Sequence, residues 1–420
     1  MDNAPAGTIS EAMEHDTDIA VVGGGLTGPV LALALASAGF RVTVVDAQPA
    51  AVRADAGFDG RAYALAHASM RMLRALGLWA GIQPDTQPIL RIVASDGLAG
   101  QGAAPWFLHF DAAEIEEGPM GWICEDRFLR GALLAAMEAE PRIETVSGAK
   151  VIDQTPDAAG ITLTLAGGQR LRARLVAGCD GRGSGTAARA GIRRIGWGYG
   201  QTALVCAVAH ERPHAGTAHQ FFMPAGPLAI LPLPGDRSSI VWSEDADLAA
   251  AILKMDDADF LQVLRPRFGD FRGAIRPEGK RFAYPLGLSL AHEFIAERVV
   301  LVGDAAHGLH PIAGQGFNLG MRDVAALAEV LAEAARRGED IAAAPVLARY
   351  QQWRRFDTVA MAVATDGFNR LFSNDSTILR GLRDAGMAAV SAMPGLRRRF
   401  IREAAGLTGA LPRLLQGRPV

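Results

Sequence analysis

Lysine is nearly missing from this chain. Only three of its 42 basic residues are lysine (Lys150, Lys254 and Lys280), and 45 acidic residues balance the total. The basic surplus of a nucleic-acid binder is therefore absent. Cysteine is equally scarce: Cys124, Cys179 and Cys206 lie far apart, without the paired spacing of a zinc or redox site. Their odd number suits a reducing compartment better than a disulfide scaffold. No apolar run approaches the roughly 18 to 20 residues that span a bilayer. The acidic, polar opening "MDNAPAGTISEAMEHDTD" lacks the cationic start and apolar core of a secretory signal and reads as a loose tail. These absences point to a cytoplasmic protein that at most lies on the inner face of a membrane.

Glycine, by contrast, is concentrated. Residues 303 to 320, "GDAAHGLHPIAGQGFNLG", hold five glycines, one proline, two histidines and a single carboxylate, Asp304. Neither a helix nor a strand gains from such a composition, so the stretch is expected to be a shaped loop. Upstream, "RVVLVG" (298 to 303) reads as a central parallel strand covered on both faces. Downstream, "MRDVAALAEVLAEAARRG" (321 to 338) reads as a helix with Asp323 in its first turn. Unshielded backbone N–H groups at a helix N-terminus form a site for an anionic or carbonyl-rich ligand.

The segment "DIAVVGGGLTGPVLALALASAGFRVTVVDA", residues 18 to 47, has the form strand, glycine turn, helix, strand, acid. Gly23 permits the tight turn, Gly25 lets a pyrophosphate approach the backbone, and Gly28 lets helix and sheet pack closely. Asp46 ends the second strand, where a carboxylate accepts hydrogen bonds from ribose hydroxyls. The whole unit predicts dinucleotide binding. A third signal follows "ITLTLAGGQRLRARLVAG", a hairpin turning at Gly167 and Gly168. The chain then reaches "CDGRGSG", where Asp180 is either a ligand-side acid or a helix cap.

Three strand-to-loop sites in this order resemble the single-component flavin aromatic hydroxylases of the p-hydroxybenzoate hydroxylase type. Within that superfamily, "FDGRAYALAHASMRMLRALGLW", "LHPIAGQGFNLGMRDVA" and "TDGFNRLFSND" look like the ubiquinone-biosynthesis hydroxylases, over roughly residues 17 to 408. The resemblance implies non-covalent FAD, its pyrophosphate at Gly23, Gly25 and Gly28 and its adenosine ribose at Asp46. It sets Arg61 along the cofactor, Arg127 near the pyrophosphate, and the Asp180 loop where FAD and the passing nicotinamide meet. Asp304 would accept from the ribityl hydroxyls, and Pro311 would lie by the reactive carbon. Backbone around Gly314, Gln315, Gly316 and Asn318 would donate to the pyrimidine edge, whose reduced form is anionic. Cys179 departs from the alanine-like residue expected there and reads as a small buried thiol. His307, in the same loop, is a candidate acid or base, although shaping the loop by hydrogen bonding is the simpler role.

The implied fold class is α/β. It comprises a Rossmann-like FAD-binding domain of the p-hydroxybenzoate hydroxylase type (17–82, 121–181 and 296–345), a β-rich substrate domain (83–120 and 182–295), and a C-terminal helical region (346–420). "HQFFMPAGPLAILPLPGDRSSIVWSED" (219 to 245) would roof an apolar pocket over the flavin. "HERPH" (210 to 214) matches a zinc-protease pattern but carries Pro213, which denies the helix that pattern needs, so no metal is expected. In "LRRRFIREAAGL" (396 to 407) Leu396, Phe400, Ala404 and Leu407 share one helical face, with Arg397, Arg398 and Arg402 away from it. A solvated basic face is the simpler reading, and contact with anionic lipid or a biosynthetic complex the sharper one.

The resemblance implies a monooxygenase. NAD(P)H, or another donor, reduces FAD, dioxygen forms a flavin C4a-hydroperoxide, and the ring of a polyprenylated phenol on the way to ubiquinone is hydroxylated. A catabolic phenolic-acid hydroxylase, a prenyl reductase using no oxygen, and a non-catalytic FAD-fold escort protein are the alternatives. The W-x-W-x-I-P signature of flavin halogenases is absent.

Overall fold

The computed structural model describes residues 15–58, 60–98, 102–372 and 393–420. Most of the expected N-terminal tail and part of the C-terminal helical region lie outside them. The first layer is a sheet with five parallel strands in the spatial order Val299–Leu301, Arg170–Gly178, Thr17–Val22, Val42–Asp46 and Ile143–Ser147. The hairpin turning at Gly167 and Gly168 leads into the second of these strands. Thr17–Val22 and Val299–Leu301 are almost wholly buried, which is why they read as continuous apolar runs. Val299–Leu301 is not central, because the short antiparallel strand Ile295–Ala296 closes that edge. Helices Thr27–Ser37 and Gln315–Arg336 pack against each other beside this sheet, and the largest apolar core lies between them and the strands.

The second layer is an eight-stranded sheet, antiparallel except where Thr217–Met223 runs parallel to Arg91–Leu98. It combines Arg91–Leu98 and Gly102–Asp111 with Arg194–His210, Thr217–Met223, Gly226–Leu233, Arg237–Asp245, Ile275–Ala291 and His307–Gly308. A three-stranded sheet of Ala62–Ala66, Gly121–Glu125 and Thr86–Ile89 joins the layers. The strand Thr86–Ile89 of this sheet follows shortly after residue 83, where the substrate segment was expected to begin.

Two sequence-based expectations need correction. The helix expected from residue 321 begins at Gln315, so the later glycines of the loop are helical. Gly320 lies within this helix against Gly303 and Thr27, where a Cβ would make ordinary contacts at 3.5 Å. Asp323 is consequently no first-turn acid but a fully buried one. In the C-terminal helix, Pro394–Ala404, the buried contact is Ile401, at 2 % exposure, whereas Phe400 is 43 % exposed. Arg397 pairs with Glu114 at 2.9 Å and Arg402 pairs with Glu117. The basic face is thus partly neutralised by the protein itself.

Candidate active site

In a parallel sheet every strand ends on the same side, and neighbouring strands release their loops side by side. Val22 is in register with both Val45 and Gly178, and Gly178 with Leu301. The loops beginning at Gly23, Cys179 and Gly303, together with Asp46, therefore share one edge. Gly23 has φ +110°, and a Cβ there would collide with the Cys179 carbonyl. A Cβ on Gly28 would strike the Gly23 carbonyl, whereas one on Gly25 would meet no protein atom and enter the cavity instead. The Asp46 carboxylate accepts from Gly24 N–H and from Gln48 N–H at 2.7 Å.

These loops open into one cavity of about 2390 Å³ that extends to the antiparallel sheet. At its nucleotide end, Arg53 is 4 % exposed, and its Nε and Nη2 have no protein partner. Its third nitrogen reaches only Ser147 Oγ, at 3.3 Å, and a buried guanidinium with no carboxylate beside it is a fit for an anionic ligand. Arg61 lines the cavity and pairs with Asp126 at 3.3 Å. Arg127 does not line it, because its guanidinium pairs with Glu125 at 2.8 Å and lies over the Phe58 and Phe128 rings. The next turn supplies the cation instead: Arg130 lines the cavity, donates to Asp126 at 2.7 Å and to the Arg53 carbonyl at 2.5 Å. Arg53 and Arg130 were not singled out from sequence, since nothing local distinguishes them from other surface arginines.

The cap of the helix after this loop is Ser184, so Asp180 is not that cap. It lines the cavity, and its carboxylate accepts from Ser184 Oγ at 2.5 Å and from Thr186 N–H and Oγ1, each at 2.9 Å. It thereby fixes its own loop against the short helix Gly185–Arg189. Burial pushes the Cys179 thiol well above its ordinary range, so the thiolate needed to attack a flavin ring is disfavoured.

In the third loop Asp304 faces the cavity and pairs with Arg182 at 3.5 Å. Pro311, Gly314, Gln315, Gly316 and Asn318 line the cavity too. Gly314 has φ +63° and heads the helix, whose first turn has no side-chain cap. Helix Thr27–Ser37 likewise has none. Two helix N-termini thus direct N–H groups at one cavity. Asn318 spends its side chain as a cross-link: it donates to the Ala64 and Gly314 carbonyls at 2.8 and 3.2 Å and accepts from Ala66 N–H and Ser69 Oγ at 2.9 and 2.8 Å.

His307 does not line the cavity. It is fully buried, with Nε2 at 2.5 Å from Asp323 Oδ2. The same carboxylate accepts from Gly303 N–H at 3.0 Å and from Arg354 Nε at 2.8 Å. Burial alone would raise the Asp323 carboxyl, but His307 and Arg354 outweigh it and hold it below the usual carboxylate range. The geometry makes His307 a brace of the loop, the simpler of its two expected roles. The ring nitrogens of His310 have no protein partner, and burial lowers this histidine to about 4.

Opposite the loops the antiparallel sheet is apolar. One cross-strand row of facing residues runs Leu108, Ala94, Gln220, Ala229, Val241, and a neighbouring row includes Phe110, Ile92 and Ala218. All of these line the cavity. The motif "HERPH" stays outside it: the His214 ring bonds the Leu233 and Gly235 carbonyls at 2.8 and 2.9 Å. Among the described residues no group of three His, Cys, Asp or Glu side chains is placed to hold a metal ion.

Fold and site together define a dinucleotide-binding flavoprotein with an apolar chamber beside its flavin loop. The family described as FAD binding domain matches residues 16–365. Ubiquinone hydroxylase UbiL of Rhodospirillum rubrum is 45 % identical over 99 % of this chain and 96 % of its own. The 3-demethoxyubiquinol 3-hydroxylase of Escherichia coli is 36 % identical over 93 % of this chain and 99 % of its own. In fold, the chain is similar to p-nitrophenol 4-monooxygenase PnpA of Pseudomonas putida, with a TM-score of 0.78 and 22 % identity over 94 % of this chain and 99 % of that one. The protein belongs to the FAD-dependent ubiquinone hydroxylase family, and FAD is its cofactor.

Proposed function

We propose that the protein is a monooxygenase that hydroxylates the ring of a polyprenylated phenol intermediate in ubiquinone biosynthesis. The observation that carries this reading is the single cavity, lined by backbone N–H donors and arginines at one end and by an almost wholly apolar sheet at the other. FAD fits the first end. Gly23, Gly25, Gly28, Arg53 and Arg130 would hold its pyrophosphate, Asp46 its ribose, Asp304 its ribityl chain, and the N–H groups near Gly314 and Gly316 its anionic ring edge. Bound FAD supplies the redox chemistry: a hydride from NAD(P)H, then one oxygen atom of O2 to the ring and the other to water.

The protein's part is positioning and exclusion of water. Asn318 and Asp323 fix the loop to neighbouring elements, and the sheet offers an apolar surface for the ring and its tail. The described side chains of that wall include no cation to offset the carboxylate of a small phenolic acid, although Arg322 and Arg399 line the same cavity. The tail has an apolar route past Phe222 and Phe372, whose rings lie 4.2 Å apart, and Phe368, toward the exposed Phe356 and Val363. Among the described residues no helix is long and apolar enough to cross a membrane. That exposed strip, more than the paired arginines of the C-terminal helix, supports peripheral contact with lipid. The test supplies NAD(P)H, 18O2 and matched prenylated and unprenylated phenols. One 18O atom in the prenylated product is expected. Tight coupling with free phenolic acids alone would replace this reading with the catabolic one, and turnover without oxygen uptake would point to a reductase.

A further inference from the structure

In the two cavity-facing rows of the sheet wall one residue, Gln220, is not apolar, and it lies at the centre. Strand Thr217–Met223 alternates: Phe221 and Met223 belong to the core on the far side, while Ala218 and Phe222 belong to the clusters on the cavity side. Gln220 falls between Ala218 and Phe222 on the cavity side and lines the cavity. Its cross-strand neighbours are alanines on both sides, Ala94 and Ala229, so nothing bulky shields the amide. An uncharged amide in an apolar wall is costly to desolvate unless a partner meets it, and no side chain of the wall beside it can serve.

Position along the strand says what that partner is. Two residues before Gln220, Ala218 shares a cluster with Ala64, whose carbonyl accepts from Asn318 at the flavin loop. Two residues after it, Phe222 packs on Phe372, on the apolar route outward. A two-residue step on a strand is about 7 Å, roughly one aromatic ring. Gln220 therefore stands where a ring held at the loop ends and an apolar tail begins.

We propose that Gln220 is a specificity-determining residue that hydrogen-bonds an oxygen substituent of the substrate ring, and so selects a tailed phenol over an equally apolar molecule without ring oxygen. Its amide both donates and accepts, so it matches a phenol in either role. The assignment rests on the hydroxylase reading above, which supplies the ring.

The test uses the FAD-loaded enzyme, titrated with a 2-prenylphenol and with the matching prenylbenzene that lacks the hydroxyl, and read by perturbation of the flavin absorbance. The unmodified enzyme is expected to bind the phenol about tenfold more tightly, the ratio for one buried hydrogen bond worth about 1.4 kcal/mol. Gln220→Met keeps length and volume and is expected to bind both ligands within about twofold of each other, with FAD content unchanged, because binding falls for the phenol alone. It is also expected to divert reduced flavin to hydrogen peroxide at the expense of product. Equal binding of the two ligands by the unmodified enzyme, or an undiminished preference in Gln220→Met, would overturn the assignment. Should the phenol preference depend on Gln220 while no hydroxylated product forms under NAD(P)H and O2, the contact is supported and the hydroxylase reading is the one that fails.

Discussion

The two ends of the cavity recognise their ligands by opposite means. At the parallel sheet the recognising atoms belong to the backbone, and side chains there are absent (Gly23, Gly25, Gly28), used as braces (Asn318, Asp323) or held as unpartnered charge (Arg53). At the antiparallel sheet the backbone is consumed by strand pairing, and recognition is left to side chains, nearly all apolar, around Gln220. A backbone-built site tolerates no change of local geometry but is indifferent to the residues around it. A side-chain-built site keeps its fold through substitution and changes only what it prefers. This contrast orders the expected effects of mutation.

The largest effect is expected where the backbone site is braced from below. Asp323→Asn leaves the Arg354 guanidinium, 2 % exposed, without its buried counter-charge and weakens the hold on Gly303 and His307. Breaking such a pair from one side costs about 3 to 5 kcal/mol. Thermal unfolding and FAD content should fall together, and an unchanged melting temperature would show that the loop does not depend on this brace. His307→Ala should show a smaller loss of the same kind.

Acid should expose a second weakness, shared by both ends. His219 Nε2 lies 3.1 Å from Arg272 Nη2, and a guanidinium only donates, so this ring is neutral in the fold. Burial, with Arg272 and His109, lowers it to about 4, as burial and Arg182 lower His310 to about 4. Both values lie below the 6.5 of an unfolded histidine. Stability is thus fully present above pH 6.5 and is lost as the unfolded chain takes up protons between 6.5 and about 4, by on the order of 2 to 3 kcal/mol per ring at the low end. Denaturant titrations at pH 7.5 and 5 should show the decline. His310→Gln should flatten part of it, and an equal slope in that variant would mean His310 is not responsible.

The same contrast explains how much was legible in advance. The glycine loops could be read because each glycine answers a local demand: Gly23 must avoid the Cys179 carbonyl and Gly28 the Gly23 carbonyl. Arg53 and Arg130 could not, since what distinguishes them is closure of the sheet edge over residues far away in the chain. Asp323 was misjudged because Gly316 and Gly320 read as loop. Both lie inside a helix that starts at Gln315, and that shift in the helix start moved Asp323 from a surface turn to the core. The C-terminal helix was rotated in the reading because Ile401 and Phe400 fit an apolar stripe equally well, and only the neighbours decide which is covered. The roof expected over residues 219 to 245 exists, but Arg91–Leu98 and Gly102–Asp111 extend it. Alternating apolar residues look alike whether they line a chamber or fill a core.

The smallest effects on the fold should also be the most selective, and a crossed pair of substitutions sharpens the comparison. Ala229→Leu adds bulk to the wall beside Gln220 without touching any cofactor loop. Folding stability should change by less than about 1.5 kcal/mol because the new side chain enters the cavity rather than a packed core, and FAD content should stay that of the parent. The KM for a prenylated phenol should rise about tenfold, the scale on which a pocket discriminates a methylene or two. Gly25→Ala is the reverse experiment. Its Cβ meets no protein atom within 4 Å, so the fold should again be preserved, yet the methyl stands where the pyrophosphate must approach the backbone. FAD should be held more weakly, by about tenfold or more if one charge-assisted hydrogen bond is lost. Once FAD is saturating, the KM for the phenol should be that of the parent. If Ala229→Leu lost FAD, or Gly25→Ala altered the preference among phenols, the two ends would not be separate recognition surfaces, and the cavity would have to be treated as a single coupled site.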